Sequence, residues 1–507
     1  MHKGGALKTE KNSLIIIGAG LAGLAAGCYG QMNGYKSRIF EYHSKPGGVA
    51  ASWERSGYLI DGGIHFLMGH RPGQNTFNMY RELGVDFSEI KDMGTYCRFI
   101  DQNSGYSLEV TRDLDLLAGQ LKSLSAADAA FIDEIIAISR NGRGIQMFGI
   151  MENPPELMTT SNKLSMFWEM RKYFKYFTGK YAQPIGEYAR TIKSNLLQKI
   201  IVNMFMPEVP VWFVALLLTL LADSQIALLK GGCRDFVGAI ENCYKALGGE
   251  VVYNARVEEI LVRNSSATGI RLADGSKYEA ETVVSAADGY STIFKLLGGR
   301  YVDEKTRTRY RNWRLIRPTV MVSYGVSRTF EKETPLNIVF FKEPFLLGKQ
   351  RVDGSPLRFF NYSDKFAPPG KTVVQVMFET NWDYWNELRK DNTTYEAEKE
   401  KVADEVLKRL EQSYPGISQL VELTDVATPY TTWRYTLNRE GAYMGWLPTP
   451  EVVTSSIPRT LPGLGNFYMA GQWIVPGGGV PPCLYSGRHV IQILCSRNGK
   501  TFRTSTP

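Results

Sequence analysis

The stretch Ser13-Leu14-Ile15-Ile16-Ile17-Gly18-Ala19-Gly20-Leu21-Ala22-Gly23 lies near the start of the chain and decides its fold. Its apolar run, rich in isoleucine, is typical of a buried parallel strand. Three glycines follow in the spacing G-x-G-x-x-G, and the pattern from Leu21 to Met32 predicts a helix that Gly34 ends. A strand, a glycine turn and a helix in this order predict a dinucleotide-binding unit.

Each glycine of this turn has a separate physical role. Gly18 permits the tight turn, Gly20 lets a pyrophosphate approach the backbone, and Gly23 lets the helix pack closely on the strand. Leu21 and Ala22 open the helix, whose N-terminus offers N–H groups and a positive dipole end to phosphates.

A second predicted strand, Ser37 to Phe40, ends in Glu41. An acid about 20 residues beyond the glycines is placed to bind a ribose hydroxyl, and it argues against NADP. The phosphate motif itself does not separate FAD from a nicotinamide cofactor, because both use the same geometry.

Composition limits the remaining possibilities. The chain has 507 residues, 44% of them hydrophobic and 22% charged, which predicts a globular protein of two to four domains. Its net charge of +8 is compatible with an anionic membrane surface, but without a dense basic block we expect no nucleic-acid partner. The six scattered cysteines form no C-x-x-C pair and histidine is scarce, so we expect no metal site and a reducing, cytoplasmic location.

Membrane and targeting signals are weak in the sequence. The segment Met1 to Ser13 is polar and lacks the apolar core of a secretory signal. The chain has no run of 18 apolar residues, so we expect no transmembrane helix.

Two further motifs follow the second strand. They are Pro46-Gly47-Gly48-Val49 and Asp61-Gly62-Gly63-Ile64-His65. Together with the first glycine turn and Glu41, they resemble the N-terminal FAD signature of phytoene desaturase-like flavoproteins. That group includes carotenoid desaturases, carotenoid isomerases and retinol saturases. Monoamine oxidase-like relatives commonly carry arginine after the double glycine, where this chain has Val49.

The C-terminal end of the chain carries a second part of the resemblance. Phe467 to Gly471 is typical of a strand running into a glycine, and a Gly/Pro loop precedes a helix predicted over Cys483 to Cys495. That helix N-terminus would stabilise negative charge on a reduced flavin. The resemblance implies FAD as cofactor, with the main chain of Val257 against the adenine. It implies further contacts from Tyr42, Gly47, Gly48, Val49, Gly62, Gly63, Ile64, His65, Gly471, Gly478, Gly479 and Val480.

The fold class expected from this resemblance is α/β. It comprises an FAD-binding Rossmann-like domain of the glutathione-reductase type and an inserted α+β substrate domain. We place the FAD-binding domain in residues 1–84, 223–300 and 428–507, and the substrate-binding domain in residues 85–222 and 301–427.

The middle of the chain allows element-level predictions. Leu164 to Tyr181, which includes Lys172 and Tyr173, is basic and aromatic; it predicts either a helix lying on a membrane or a substrate-domain helix with a solvated basic face. The apolar stretch Trp212 to Ala222 predicts a core helix or the wall of a substrate tunnel. Helices are also predicted at 114–124, 126–139, 235–247 and 395–412. Strands at 251–253, 256–262, 269–272 and 277–279 are predicted as a β-meander, and other strands at 282–287, 320–326, 337–341 and 373–378.

The predicted chemistry follows from the cofactor. Flavin N5 takes or gives a hydride, and His65, after the Gly-Gly turn, is the first candidate to move protons near neutral pH; the alternative is a hydrogen-bonding residue beside the flavin. The candidates to line the cavity are Tyr435, Tyr443, Trp446 and Tyr485.

These observations predict an FAD-dependent oxidoreductase that acts on carbon–carbon bonds by desaturation, saturation or redox-assisted isomerisation. The expected substrate is an apolar polyprenoid, carotenoid-like or other lipid molecule, and peripheral membrane contact is compatible with it. The alternatives are an amine oxidase-like enzyme that oxidises C–N bonds and a non-catalytic FAD-binding protein. The sequence predicts neither the direction of electron flow nor the oligomeric state.

Overall fold

The computed structural model describes residues 10–146, 148–171 and 174–505. The strands are β1 Ser13–Ile17, β2 Lys36–Phe40, β3 Ser52–Arg55, β4 Tyr58–Asp61, β5 Leu67–Met68, β6 Ile90–Asp92, β7 Thr95–Asp101, β8 Ser107–Thr111, β9 Ile226–Leu229, β10 Glu250–Val252, β11 Val257–Arg263, β12 Ser266–Leu272, β13 Lys277–Glu279, β14 Thr282–Ser285, β15 Thr319–Val326, β16 Leu336–Leu347, β17 Gln350–Phe359, β18 Thr372–Glu379, β19 Val421–Ala427 and β20 Phe467–Met469. The helices are α1 Leu21–Met32, α2 Asn75–Glu82, α3 Leu114–Leu124, α4 Ala129–Asn141, α5 Thr160–Met170, α6 Ile185–Tyr188, α7 Asn195–Val202, α8 Trp212–Ala222, α9 Gly232–Ala246, α10 Glu304–Asn312, α11 Trp382–Leu388, α12 Asn392–Ser413, α13 Pro429–Thr436 and α14 Val480–Arg497.

A five-stranded parallel sheet is built around β1, in the order β10-β2-β1-β14-β20. Leu14 and Ile16 of β1 belong to a core shared with α1, α9 and α14, whereas Ile15 and Ile17 belong to a core on the other face. Because both faces of the strand are covered, the continuous apolar run is what this position requires. The predicted α/β class with its dinucleotide-binding sheet is therefore confirmed.

A second, larger sheet has seven strands in the order β19-β15-β18-β17-β16-β7-β8. Its neighbouring strands are antiparallel except for the parallel pair of β16 and β7. Helix α12 packs on one face through Val402, Val406 and Leu410, which share a core with β15, β17 and β18. The strands come from residues 95–111 and 319–427, which lie within the two ranges predicted for the substrate domain; the exact division into domains stays a prediction.

Several element predictions need correction. Val251 and Val252 belong to β10, which pairs in parallel with β2, so only β11, β12 and β13 form the antiparallel meander. The residue pattern of a short strand does not indicate which strand it pairs with. In the structure, β10 pairs with the C-terminal end of β2. The C-terminal helix begins at Val480 rather than at Cys483, and α4 begins at Ala129 after a short 3₁₀ turn.

The predicted helix from Leu164 to Tyr181 is also wrong in extent. Helix α5 begins after a capping box at Thr159 and ends at Met170, and short 3₁₀ turns follow at 174–176 and 179–182. Gly179 adopts φ +61, which an α-helix cannot contain. Lys172 and Tyr173 of that prediction, like most of the segment Met1 to Ser13, lie outside the described residues. Within the described ranges, no helix is both long and apolar enough to cross a bilayer.

Candidate functional site

The first glycine turn is shaped by close backbone packing. Gly18 has φ +96, and its N–H donates to the Phe40 carbonyl at 2.8 Å. A side chain at Gly23 would overlap the Gly18 carbonyl oxygen, which explains the glycine at the start of α1. Gly20 is different, because an added Cβ would meet only the Gly47 carbonyl oxygen, at 4.0 Å. Open space therefore lies in front of Gly20, where the sequence predicts a pyrophosphate.

The N-terminus of α1 borders this space. Gly20 precedes the helix, no side chain caps it, and the first turn carries no acid. The first N–H groups of a helix have no partner within the helix, and together with the helix dipole they favour an anion. The end of α1 thus fits a phosphate group.

Glu41 lies at the end of β2, beside the glycine turn. Its carboxylate accepts the Ala19 N–H at 2.6 Å and the His43 N–H at 2.7 Å. Burial raises the pKa of Glu41, and these backbone hydrogen bonds oppose the rise. Tyr42 follows, half-buried, and the His43 ring nitrogen accepts the Lys45 N–H at 3.2 Å, which caps the next turn.

The second glycine turn docks on the first. The Gly47 N–H donates to the Ala19 carbonyl at 2.9 Å, and Gly47 and Gly48 have φ +115 and +61. The pair Gly62 and Gly63 packs in turn on residues 49–53: a Cβ at Gly63 would lie 3.0 Å from the Val49 carbonyl oxygen. The three N-terminal motifs therefore form one continuous backbone surface.

Asp61 holds the last of these motifs in place. Its buried carboxylate accepts the Ser52 hydroxyl at 2.6 Å and the Cys233 N–H at 2.8 Å, so it satisfies the N-terminus of α9. Burial raises the pKa of Asp61 to about 6. The Gln375 side chain donates to the Asp61 carbonyl at 3.0 Å and connects this motif to the seven-stranded sheet.

Ile64 and His65 sit where the two sheets meet. Ile64 has φ +46, a conformation that β-branched residues rarely adopt and that is held here by the turn around it. Burial, and to a lesser extent the Arg358 guanidinium, lower the pKa of His65 well below its ordinary value. The lowered pKa favours the neutral imidazole, so His65 does not match the expectation of a group that titrates near neutral pH, and its catalytic role stays a prediction.

The C-terminal motifs converge on the same place. A Cβ at Gly471 would lie 3.4 Å from the Ala22 side chain, and the Gly471 N–H donates to the Ser486 hydroxyl at 2.9 Å. A side chain at Gly487 of α14 would overlap the Ala22 carbonyl oxygen, so α14 crosses α1 in direct backbone contact. Turns from the two extremities of the chain thus meet at the N-terminus of α1.

The loop before α14 has an unusual backbone. Gly477, Gly478 and Gly479 have φ +88, +53 and +90, and nothing lies within 4 Å of a Cβ added to Gly479. No side chain caps α14 and its first turn carries no acid. Pro481 and Pro482 of the first turn have no N–H, so this helix end offers the Val480 N–H and the positive end of the helix dipole to the same cavity, where a group with negative charge at one edge would fit.

A cavity of about 2390 Å³ runs through the site. Ordinary small-molecule sites measure about 300–1,000 Å³, so this one has room for a dinucleotide and a second large molecule. Of the predicted site residues, its wall includes Leu21, Glu41, Gly48, Val49, Gly62, Gly63, Ile64, His65, Gly478, Gly479 and Val480. The other predicted residues do not line it: Gly18, Gly20, Ala22, Gly23, Tyr42, Gly47, Val257 and Gly471. The cofactor contacts assigned to both groups stay predictions.

The far wall of the cavity is apolar. It includes Met321, Ile338, Phe340 and Met377 from the seven-stranded sheet and Trp212, Phe213 and Leu216 from α8. The sequence of α8 predicted either a core helix or a wall of the cavity, and the helix is both. Val214, Leu217 and Leu221, on the side away from the cavity, are buried in the core. Tyr435 and Tyr443 line the cavity as predicted, whereas Trp446 and Tyr485 are fully buried in separate cores.

Among the charged residues of the cavity wall that the sequence analysis did not identify is Arg358. It lies on β17, a strand that was not predicted because Gly354 and Pro356 are both unfavourable in strands. Residues 350–356 and 358 of β17 all line the cavity, so alternation along the strand does not by itself indicate Arg358.

Known proteins resemble this chain in sequence and in fold. Residues 21–492 match the family model described as "Flavin containing amine oxidoreductase". The chain is 24% identical to the chloroplastic prolycopene isomerase of Daucus carota over 95% of its length and 79% of that protein, and 22% identical to the lycopene-forming phytoene desaturase of Pseudescherichia vulneris over 95% and 98%. A solved oxidoreductase from Methanosarcina mazei aligns with a TM-score of 0.59 at 17% identity, covering 95% of this chain and all of that one, and so shares the fold.

Proposed function

The chain belongs to the flavin-containing amine oxidoreductase family and is an FAD-dependent oxidoreductase, and from this premise we propose that it desaturates, saturates or isomerises carbon–carbon bonds of an apolar, polyprenoid-like lipid. One observation carries the proposal. A single cavity joins the glycine cradle at α1 and α14 to a long wall of apolar side chains. A substrate that fills such a wall has to be large and apolar.

The names of the relatives support the class of substrate. Prolycopene isomerases and phytoene desaturases match this chain over nearly its full length, and the desaturase also over 98% of its own length. Both names describe reactions of polyene chains. At 22–25% identity the substrate itself can differ, since specificity depends on the residues of the cavity wall.

The residues of this chain would divide the work in the following way. The N-terminus of α1 would hold the pyrophosphate, and the N-terminus of α14 would face the flavin edge that becomes negative on reduction. Glu41 would bind the ribose. The bound flavin supplies the capacity to accept or donate a hydride at N5. The apolar wall orients a carbon of the substrate against the ring and excludes water. Burial lowers the pKa of His65 and so favours the neutral form, which would act as a hydrogen-bonding or proton-transferring imidazole.

We propose in addition that the protein binds a membrane surface next to the cavity mouth. Leu164, Phe167, Trp168 and Phe174, here called the aromatic patch, are 56%, 52%, 54% and 38% exposed. Soluble surfaces rarely expose so many large apolar side chains together.

Basic residues border the aromatic patch. The Arg171 guanidinium lies 4.5 Å from the Trp168 ring and the Lys175 ammonium 4.7 Å from the Tyr176 ring. Tyr176 and Phe177 also line the cavity, where the Phe177 ring lies 5.1 Å from that of Trp212. A patch of aromatic and basic residues that continues into the cavity would let a lipid pass from an anionic bilayer into the site.

Vesicle flotation tests this contact. The FAD-loaded protein should float with vesicles of phosphatidylcholine and phosphatidylserine, and Phe167→Ser with Trp168→Ser should abolish flotation. Leu346→Ser is the matched control, because Leu346 is 60% exposed near the end of β16 and is not part of the aromatic patch. Equal loss in the control, or unchanged flotation in the double variant, would refute the membrane proposal.

Anaerobic flavin reduction tests the reaction. Lipids that co-purify with the protein should be identified by mass spectrometry and added back in the absence of oxygen. Bleaching of the flavin absorbance, or reoxidation of the reduced flavin, with a matching change in the number of C=C bonds would support the proposal. Hydrogen peroxide production from amines would favour C–N oxidation instead. No redox change with lipids, amines or reduced nicotinamides would favour a non-catalytic protein.

A further inference from the structure

Arg358 carries a positive charge into an otherwise apolar part of the cavity. Its guanidinium lies deep in the protein, and the side chain lines the cavity, so its uncovered surface faces the cavity interior. One nitrogen donates to the His65 carbonyl oxygen at 3.4 Å. Nε is buried and has no hydrogen-bond partner.

No carboxylate pairs with this guanidinium in the part of the chain that the structure describes. Its charged or titratable surroundings are the phenols of Tyr362, Tyr96 and Tyr443 and the carboxylate of Asp61. Asp61 does not contact it and is occupied by the Ser52 hydroxyl and the Cys233 N–H. Burial lowers the pKa of Arg358 to about 10, so the group stays charged at neutral pH.

Other arginines of the cavity wall are compensated differently. Arg351, on the same strand, pairs with Asp353 at 2.6 Å, and Arg234 pairs with Glu54 at 2.8 Å. The side chains of Arg351 and Arg234 are also 66% and 43% exposed to solvent. Arg358 is only partly exposed, toward the cavity, and no carboxylate pairs with it among the described residues. A charge placed in this way is retained at a cost in stability unless something binds to it.

We propose that Arg358 binds a carboxylate carried by the otherwise apolar substrate, next to the turn of residues 62–65. The planar guanidinium offers paired N–H donors that match the two oxygens of a carboxylate. Nε has no hydrogen-bond partner in the part of the chain that the structure describes, but it is closed off from the cavity, so the two terminal nitrogens are the donors that would meet the carboxylate. The inference rests on the proposed function, because it places the anion on the molecule that reacts there.

The position of Arg358 predicts how the substrate lies. Beyond it on the same strand face are Gly354 and Pro356, and across the cavity is the apolar wall of α8. A carboxylate at Arg358 would therefore lie near the predicted flavin edge, with the hydrocarbon chain extending along the seven-stranded sheet. A pure hydrocarbon would leave the guanidinium buried and unpaired, and a site with a buried unpaired donor discriminates strongly against such a ligand.

Matched polyene probes test the proposal without turnover. All-trans-retinoic acid and all-trans-retinol have the same carbon skeleton and differ only at the terminal group. Binding of each to the FAD-loaded protein is measured by quenching of tryptophan fluorescence. A hydrogen bond to a charged group accounts for about a tenfold to hundredfold difference in affinity, so the acid should bind more tightly by that factor.

Variants at two positions of one strand identify the group responsible. Arg358→Met should remove the preference for the acid, and Arg358→Lys should restore part of it. Arg351→Met removes a paired, exposed arginine of β17 and should leave the preference unchanged. Because Arg358 is unpaired in the ligand-free protein, Arg358→Met should also raise the thermal midpoint, whereas loss of a structural arginine would lower it.

The outcomes separate this proposal from the proposed function. Equal affinity for acid and alcohol in the wild type, or equal loss in the Arg358→Met and Arg351→Met variants, would overturn the assignment while flavin reduction by neutral lipids could still succeed. A shifted flavin spectrum or potential in Arg358→Met with the acid preference intact would also overturn it, since Arg358 would then serve the flavin. Selective loss of the preference, with a normal flavin spectrum and a raised midpoint, supports it.

Discussion

Replacement of Gly20 separates cofactor binding from folding. Gly20 has φ −71 and ψ 176, which any residue can adopt, and an added Cβ would have only the Gly47 carbonyl oxygen nearby, at 4.0 Å. The fold therefore has room for a side chain at position 20, but that side chain would occupy the space predicted for the pyrophosphate. Gly23 is the contrasting position, because its Cβ would overlap the Gly18 carbonyl oxygen whether or not a cofactor is bound.

The expected magnitudes differ accordingly. In the absence of FAD, Gly20→Ala should leave the free energy of unfolding unchanged or raise it by about 0.4–1 kcal/mol, because alanine restricts the unfolded chain. At FAD about 100-fold above its Kd, the wild type gains about 2.7 kcal/mol from binding, and Gly20→Val should lose this gain entirely. Gly23→Ala should lower stability by about 1–3 kcal/mol with or without FAD, as overpacking does.

Urea unfolding measures both effects. Far-UV circular dichroism is followed for the wild type and the three variants with and without FAD, and the flavin absorbance of each purified protein gives its occupancy. Full occupancy in Gly20→Val would place the pyrophosphate elsewhere. A loss of stability in FAD-free Gly20→Ala as large as that in Gly23→Ala would show that Gly20 is a packing glycine.

Three further predictions follow from the same structure. His65→Ala should slow flavin reduction by substrate at all pH values while FAD occupancy stays normal; an unchanged rate in stopped-flow measurements would make His65 structural. Burial and the Arg459 guanidinium lower the pKa of His489 from 6.5 to about 3, so below pH 6.5 the unfolded chain binds a proton that the folded chain does not. Stability should fall as pH decreases through this window, by about 1.4 kcal/mol per pH unit from this residue, and His489→Gln should flatten the difference seen in urea unfolding at pH 4.5 and 7. Gly487→Ala should lower both stability and FAD occupancy by separating α14 from α1, whereas Gly119→Ala, in α3 with nothing within 4 Å, should raise stability by about 0.8–1 kcal/mol in the same thermal unfolding assay.

The reason to expect a pH effect from His489 lies in its contacts. Its Nδ1 faces Arg459 at 2.8 Å, and its other ring nitrogen faces the Met151 carbonyl at 2.5 Å. Arginine can only donate, so Nδ1 accepts and the neutral imidazole donates to Met151. Arg459 also binds Glu156 through both carboxylate oxygens, at 2.8 and 3.0 Å. This cluster fastens α14 to residues 151–156, and protonation would place two cations against each other.

Local signals were sufficient for the cofactor-binding half of the molecule. The limits of α1 agree with the sequence analysis to the residue, and β1 contains the predicted apolar run, because an isoleucine run, a fixed glycine spacing and Gly34 after the helix are short-range features. The same holds for α3, where Asp113 accepts two N–H groups of the first turn. Short-range signals failed where glycine and proline interrupt a strand, as in β17, and where a helix ends without a strong stop, as in α5.

The sequence by itself determined the glycine turns, their order and the chemistry of the cofactor they fit, since those properties reside in the backbone freedom of a few residues. Only the tertiary structure decided which residues meet. It brings Gly471 and Gly487 to Ala22, lowers the pKa of His65, and places Arg358 on the cavity wall with no carboxylate paired to it among the described residues. Burial and electrostatic environment are produced by neighbours hundreds of residues away along the chain, and no local pattern records them.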